Sequence, residues 1–583
     1  MSPEGLAFAP VLLPLLGAAI VFLAKAFFRG RGAVIVEYTG VFTGLYLPWL
    51  ALIFLFPVVI NGSAVTGVIG HWNSGVGISY RFDGLAWMVN VLGYTLGGAA
   101  WLHSLSSGPK GPSFSAIFLI QTAALGATIM TADLFNLFVS LEVLGISSYI
   151  LVSSSEKPGA ALASFSYLMV SSTAMVFFLL GLFGLYRITG SLSYEGIAAG
   201  LGHLDGNALA TAVISLSLLV GAIAIRVAVM PLYGWLPDAH ALAPHAVSAV
   251  LSGVLIKTPL FALSRILILF PIGKEAGQLM SYAGAATALL AVIIALSQKD
   301  VKRLLAYHSI SQIGYIVCTW GAAVAVGIGT KAGTLLMAAA FLHALFHAVF
   351  KGLLFLSIGS SVDAAGERDV YKLRGAVSIL KRSGDKAAIA FFGFLVGALS
   401  ISAIPPFNGF TSKTAMTYLL KYYGQYGSVL YWILTIAGAG TAASFIKLSR
   451  IYWPDKEKIS TVFPERTDSG PVLPGVIAII FLSVLCILGG IFTPLIFKTV
   501  TALLSGKSLT MGDGYSFFST GNLLKSLYTA GAGALVFLLA TGNAGSALLK
   551  KVRERPRSFQ GLFVSYALAA AAMAGWLLYH AAP

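Results

Sequence analysis

The chain has 583 residues, of which 57% are hydrophobic and 10% charged, with a formal net charge of +16. Soluble domains are about 25% charged, so a large soluble core is excluded and a polytopic membrane protein is implied. The two cysteines, Cys318 and Cys486, lie inside separate apolar runs, with neither a paired framework nor metal-ligand spacing, which excludes thiolate ligation of a cofactor.

A bilayer takes roughly 20 residues per crossing. Apolar runs of about that length fall at 6–28, 34–60, 84–103, 114–131, 133–153, 161–187, 208–230, 246–270, 277–297, 309–328, 333–360, 387–404, 427–452, 473–498, 523–545 and 560–580. The first has Glu4 before it and Lys25, Arg29 and Arg31 at and beyond its end. A signal peptide has the opposite charge order, so this run reads as a retained helix with its N-terminus outside. Sixteen spans then put both termini on the outer side of a prokaryotic cytoplasmic membrane.

Cytoplasmic loops collect Lys and Arg. With that orientation the inner loops hold Lys25, Arg29 and Arg31, then Lys110, then Lys157, then Lys299, Lys302 and Arg303. Next come Arg368, Lys372, Arg374, Lys381, Arg382 and Lys386, followed by KLSRIYWPDKEK (447–458) and KKVRERPR (550–557). The outer loops hold scattered cations such as Arg81, Lys274, Lys331 and Lys507. The net positive charge is therefore topogenic, and a nucleic-acid partner is not implied. SLSYEGIAAGL (191–201) reads as an extramembrane loop with a short helix, and VFPERTDSGP (462–471) as a polar turn.

The seventh and twelfth runs are broken. VMPLYGWLP places Pro231 and Pro237 after Arg226, and ISAIPPFNGFTSK places Pro405 and Pro406 before Lys413. Proline removes a backbone donor and clashes with the preceding turn. A break within the bilayer persists only where protein or enclosed water satisfies the freed groups. The breaks are five spans apart, an odd number, so the two units lie in opposite orientations, as in the inverted repeats of many transporters. The cation precedes one break and follows the other.

Ionisable residues inside these runs are the candidate site. A cation at a helix centre costs roughly 2.5–3.5 kcal/mol on insertion scales. Glu142 lies within DLFNLFVSLEVLGISSYILV, with Asp133 at its start as an interfacial residue or helix cap. A buried carboxylate can hold a proton near neutral pH, whereas one beside a cation stays ionised. Arg226 cannot be deprotonated, so it either switches Glu142 by moving or forms a fixed ion pair. Lys257 and Lys351 are relay candidates, because a desolvated lysine can release its proton. His343, His347 and Lys351 follow i, i+4, i+8 spacing and share one helix face, the pattern of a proton wire. No third ligand accompanies the His pair for a metal.

Lys413 follows NGFTS at the second break, where it faces either the interior path or outside water. His308 beside a basic loop, and His240 and His245 around the first break, are candidates to admit or gate protons. Ser147, Ser148 and Tyr149 are candidates to hold water near Glu142. GxxxxGK[ST] is absent, as is any GxGxxG between a strand and a helix. No cofactor is expected, and no redox active site.

In order, DLFNLFVSLEVL, VMPLYGWLPDAHALAPHAVSAVLSGVLIKT, QKDVKRLLAYHSISQIGYI, HALFHAVFKGLLFL and IPPFNGFTSK resemble the antiporter-like subunits of the complex I superfamily. These include membrane-arm subunits of respiratory complex I, D-type subunits of Mrp sodium/proton antiporters, and relatives in membrane-bound hydrogenases. The resemblance covers about residues 80–500 and is nearest to a D-type subunit or a hydrogenase counterpart.

It implies an all-α polytopic membrane protein of about sixteen helices, with a fourteen-helix core, two inverted five-helix repeats and two broken helices. Residues 1–110 would be the N-terminal helices, 111–270 and 271–460 the two repeats, each with a proton half-channel, and 461–583 the last three helices. Glu142 would be the family's buried glutamate, Lys257 and Lys351 its central lysines, and Lys413 the end of the second broken helix. Arg226 stands where the family usually has lysine, so proton transfer there would pass to Lys257 while Arg226 tunes Glu142.

The expected function is translocation of H+, with or without Na+ coupling, within a multi-subunit complex. Partners would be antiporter-like and small membrane subunits, with a hydrogenase or quinone-reductase module among the candidates. The alternatives are a non-conducting scaffold subunit and a self-sufficient cation/proton antiporter.

Overall fold

The structure, a computed structural model, describes residues 3–69, 77–202, 204–382, 387–454, 472–512, 514–554 and 559–581. The polar turn expected at 462–471 lies outside the described residues, as do Lys386, the end of KLSRIYWPDKEK and Arg555–Arg557.

Fifteen helices among the described residues are long and apolar enough to cross a membrane. They are α1 Ala9–Phe27, α2 Gly30–Val59, α3 Gly84–Ser107, α4 Pro112–Met130, α5 Leu134–Ser153, α6 Ala160–Thr189 and α7a Gly206–Arg226. There follow α8 His245–Leu267, α9 Gly273–Ser297, α10 Val301–Val326 and α11 Lys331–Ala365. The remainder are α13 Gly424–Ser449, α14 Val472–Ile491, α15 Thr520–Thr541 and α16 Phe559–Ala581. The first break separates α7a from α7b, Leu236–Leu242. A twelfth crossing is built from two short pieces, α12a Ala387–Ile401 and α12b Asn408–Lys421. With it, the described residues make sixteen crossings.

Several helix starts follow from side chains that satisfy the free N–H groups of the first turn. Asp83 accepts from Ala86 N, Asp133 from Asn136 N, Asp300 from Arg303 N and Thr330 from Gly333 N. The loop helix expected in 191–201 forms over Tyr194–Leu201, capped by Ser193. An antiparallel hairpin, β1 Val65–Val68 with β2 Ser79–Phe82, adds an element that the hydropathy pattern does not reveal.

Loop contacts define two faces. On one, Ala132 N donates to Ser79 O, Leu134 N to Leu192 O, and the Tyr80 hydroxyl reaches Glu4 O. On the other, Val301 N donates to Arg368 O, Lys25 to Ser113 and Arg553 to Ser297 O. The hairpin face and the basic face therefore collect the two loop sets that alternate crossings require.

α9 and α10 meet along a glycine seam. A Cβ on Gly284 would lie 2.3 Å from Cys318 N, and one on Gly321 would lie 2.5 Å from Ser281 N. Small residues let membrane helices approach closely where van der Waals packing drives association. The two last helices cover different halves. α15 lies against α13, with Gly533 on Ala439 and Ala442, while α16 puts Tyr566 against Gly221 of α7a and Phe177 of α6.

Candidate functional site

The two breaks have the same backbone. At the first, Ala228 N donates to Ile225 O, Val229 N to Ala224 O and Leu232 N to Val229 O, and Ala228 has φ of 58°. At the second, Ala403 N donates to Ser400 O, Ile404 N to Leu399 O and Phe407 N to Ile404 O, and Ala403 has φ of 59°. α7a starts from the hairpin face and α12a from the basic face, so the two units are inverted. Superposed in this register, Arg226 matches Ile401 and Lys413 matches Asp238. The two cations are thus not equivalents, which accounts for their different sides of the breaks.

At each break a side chain also reaches a main-chain carbonyl, that of Ile225 in addition to its bond from Ala228 N. Trp235 Nε1 donates to Ile225 O at 2.8 Å, and Lys413 Nζ donates to Ile401 O at 2.8 Å. Trp235 also stacks on Tyr167, with ring centroids 4.0 Å apart.

Arg226 donates to Glu142 Oε1 at 2.5 Å and to Leu141 O at 2.8 Å. The Arg226 side chain is 5% exposed and that of Glu142 is 25% exposed. The glutamate expected in the interior therefore sits at the rim, flanked by exposed Val139, Val143 and Ile146. Ser147 and Ser148 donate to carbonyls of their own helix, and Ser148 accepts from Gln121 Nε2. Tyr149 is the member of that trio near Arg226, both approaching Gly145. Asp133 caps α5 outside the span, where burial raises its carboxyl above the usual range.

Lys257, His308, His343, His347 and Lys351 are fully buried. Lys257 donates to Ser252 O at 2.7 Å and Gly253 O at 2.6 Å, within the π-turn Leu251–Leu255 of α8. A mid-helix π-turn frequently marks a functional site. Ser252 Oγ lies 2.7 Å from Ser309 Oγ of α10, the residue after His308. Lys351 donates to Leu305 O on that same helix and stands over Phe355.

His343 and His347 stack with centroids 6.1 Å apart. His343 Nδ1 meets Ser412 Oγ of α12b at 2.9 Å, and its Nε2 lies 3.2 Å from Gln312 Oε1 of α10. Ser412 precedes Lys413, so the histidine row on α11 runs into the second break. Among the described residues no protein group pairs with either ring nitrogen of His308 or His347.

Near the first break, His245 Nε2 lies 2.8 Å from Asp363 Oδ1, which fixes His245 as a paired residue. His240 is fully buried, 6.0 Å from the Phe355 ring. No direct hydrogen bond joins Arg226 to Lys257 among the described residues. The structure thus gives two groups, Glu142–Arg226 at the rim and a central row from Lys257 to Lys413.

Three further buried amines belong to the interior although the sequence pattern assigns them to loops or passes over them. Lys302 and Lys447 read as loop charges. α10 begins at Val301, however, and fully buried Lys302 donates to Ala243 O at the C-terminal end of α7b. Lys447, 2% exposed, donates to Leu296 O and Gln298 O. A signal for Lys302 exists: it shares a helix face with Leu305, Ser309 and Gln312. Lys525 lies just inside the apolar run of α15 and donates to Thr417 Oγ1 of α12b at 2.8 Å.

The fold and site define a polytopic membrane protein with two inverted broken helices and a buried row of amines and imidazoles. Residues 131–440 match the family described as NADH:quinone oxidoreductase/Mrp antiporter, transmembrane, and the chain belongs to that family. Its relatives include the D-type subunit of the Na(+)/H(+) antiporter of Alkalihalophilus pseudofirmus, 30% identical over 71% of this chain and 80% of the relative. The N-type subunit of the NADH-quinone oxidoreductase of Desulforudis audaxviator is 33% identical over 62% of this chain and 70% of the relative. Among solved structures, the Mrp complex from a Dietzia species has a chain with the same fold at a TM-score of 0.74 and 23% identity. That match covers 90% of this chain and all of the other.

Proposed function

We propose that the chain is the proton-translocating subunit of a multi-subunit membrane complex, driven by redox chemistry in partner subunits or by exchange against a cation such as Na+. The observation that carries this reading is the bonding of the buried amines. Lys257, Lys351 and Lys413 donate to main-chain carbonyls, and no carboxylate pairs with any of them among the described residues. A permanently charged group buried without a counter-charge is costly. An amine that gives up its proton avoids that cost, and a lysine, unlike an arginine, can do so.

In this reading protons pass between Lys257, Lys351, His347, His343 and Lys413 through enclosed water. His308 and His240 connect the row to the basic face. His245, tied to Asp363, would act as a gate when that pair opens. Each repeat, within 111–270 and 271–460, would supply one half-channel. Glu142 and Arg226 would form the switch that reports on the neighbouring subunit. Displacing one charge across 100 mV is worth about 2.3 kcal/mol, so the switch must change the energy of the row by at least that scale.

The family names support partner subunits: the relatives are subunits of antiporters and of quinone oxidoreductases. The test is Glu142→Gln and Lys351→Ala in the assembled complex, with acidification of closed vesicles as the readout. Both variants are expected to lose translocation while the complex stays assembled. Unchanged translocation would make the chain a scaffold. Rescue of a sodium-sensitive host by this chain alone would instead make it a self-sufficient antiporter.

A further inference from the structure

The central row stops at Lys413 in the reading above, yet the structure continues beyond it. Lys413, Thr417 and Tyr315 line a cavity of about 40 Å³, and its opposite wall is Asn522, Lys525 and Ser526 of α15. Ala403, Phe410, Leu434 and Gly438 complete the wall, and the space has room for a few water molecules held by the amines and hydroxyls that line it. Ser526 Oγ donates to Ala403 O, the carbonyl of the left-handed residue at the second break. Lys525 Nζ donates to Thr417 Oγ1, and Thr417 in turn donates to Lys413 O one helical turn away. The Lys525 ammonium stands 4.3 Å from the centroid of the Tyr431 ring.

Two amines therefore share one cavity, and no carboxylate lines it among the described residues. The titratable groups facing Lys525 are Lys413 and Lys421 of α12b, Tyr315 of α10 and Tyr431 of α13. Two like charges without a counter-ion disfavour each other, so one proton shared between two amines suits the site better than one on each. Lys525 lies in the first turns of α15, toward the hairpin face, and Lys413 lies toward the break.

We propose that Lys525 is a proton-exchange group of the second half-channel, passing protons between Lys413 and the solution at the hairpin face. A proton leaves one ammonium for cavity water and the other amine takes it up, so the charge of the pair is unchanged. α15 on this account completes the path as its outer wall. The proposal rests on the reading of the chain as a proton translocator.

The experiment compares Lys525→Gln, Lys525→Arg and Lys413→Gln in the assembled complex, reading vesicle acidification across pH. We expect Lys525→Gln and Lys525→Arg each to lower translocation at least about ten-fold, below the usual range of acid–base effects, with assembly intact. Arginine keeps the charge and the donors but cannot release a proton, so rescue by Lys525→Arg would show a packing role and overturn the proposal. Loss in Lys413→Gln with normal transport in Lys525→Gln overturns it while leaving the translocation reading standing. Normal transport in all three overturns both.

A second measurement serves where Lys525 variants do not assemble. Thr435→Cys, across the cavity on α13, should react with a charged membrane-impermeant thiol reagent from the hairpin face. Absence of labelling from that face overturns the proposal.

Discussion

At the scale of single residues, the structure separates two kinds of intramembrane charge. Arg226 is paired with a carboxylate and cannot lose its proton, whereas the lysines of the central row donate to carbonyls and, among the described residues, pair with no carboxylate. Removing each should have a different signature. Lys257→Met leaves Ser252 O and Gly253 O without their donor, at about 1–3 kcal/mol by the usual cost of a lost buried hydrogen bond. The complex should therefore still assemble, with thermal stability slightly lowered and vesicle acidification abolished. Arg226→Lys should keep both the contact with Glu142 and translocation. Arg226→Met leaves a carboxylate that is only a quarter exposed without its partner, and it should lose translocation. A full-rate Arg226→Met variant would remove Glu142–Arg226 from the mechanism.

The Glu142–Arg226 contact is legible in the sequence, because an arginine in oil needs an acid and one glutamate lies in a nearby span. The glutamate's place at the rim is not, since an apolar run looks the same whether it faces protein or lipid. Lys302 and Lys447 are hidden by the convention that a cation beside a loop belongs to it. In the structure each turns inward and finds carbonyls. Lys525 carries the ordinary warning of a lone cation within a span, but the run begins so close beside it that it passes for a terminal charge.

At the scale of elements, Ala228 and Ala403 hold the breaks in a left-handed conformation that costs an L-residue roughly 1–2 kcal/mol. Ala403→Gly should be neutral or slightly stabilising in a thermal unfolding assay, because glycine accepts that conformation freely. Ala403→Val should lower the unfolding temperature and diminish transport, since a β-branched residue is a true outlier there. An unfolding temperature for Ala403→Val equal to that of the parent would remove the left-handed turn as a constraint. The α9–α10 seam makes a similar claim. Gly284→Leu should prevent recovery of folded protein in detergent, while Gly273→Ala, where a Cβ meets nothing, should not. Prolines mark both breaks in the sequence, but only the backbone hydrogen bonds reveal their common register. The β1–β2 hairpin leaves no comparable trace: its strands are four residues each, too short for an alternating pattern to stand out.

For the whole molecule, sixteen crossings and the alternation of basic loops are legible, because hydropathy and charge bias are sums over many residues and tolerate local errors. The division of labour between the last two helices is not. α15 lies on the second repeat and α16 on the first, and nothing in two apolar runs says which neighbour they choose. The two faces can be checked with single cysteines: Glu195→Cys and Lys372→Cys should react with an impermeant thiol reagent from opposite sides of the membrane. Labelling of both from the same side would contradict the alternation.

The central claim is that the buried amines and imidazoles are wet and exchange protons. A map of the intact complex that resolves ordered water, recorded in more than one functional state, tests it most directly. The account predicts water at the ring nitrogens of His308 and His347, continuous from Lys257 and Lys351 to Lys413, with Glu142–Arg226 open in at least one state. A dry row with that pair closed throughout would contradict it.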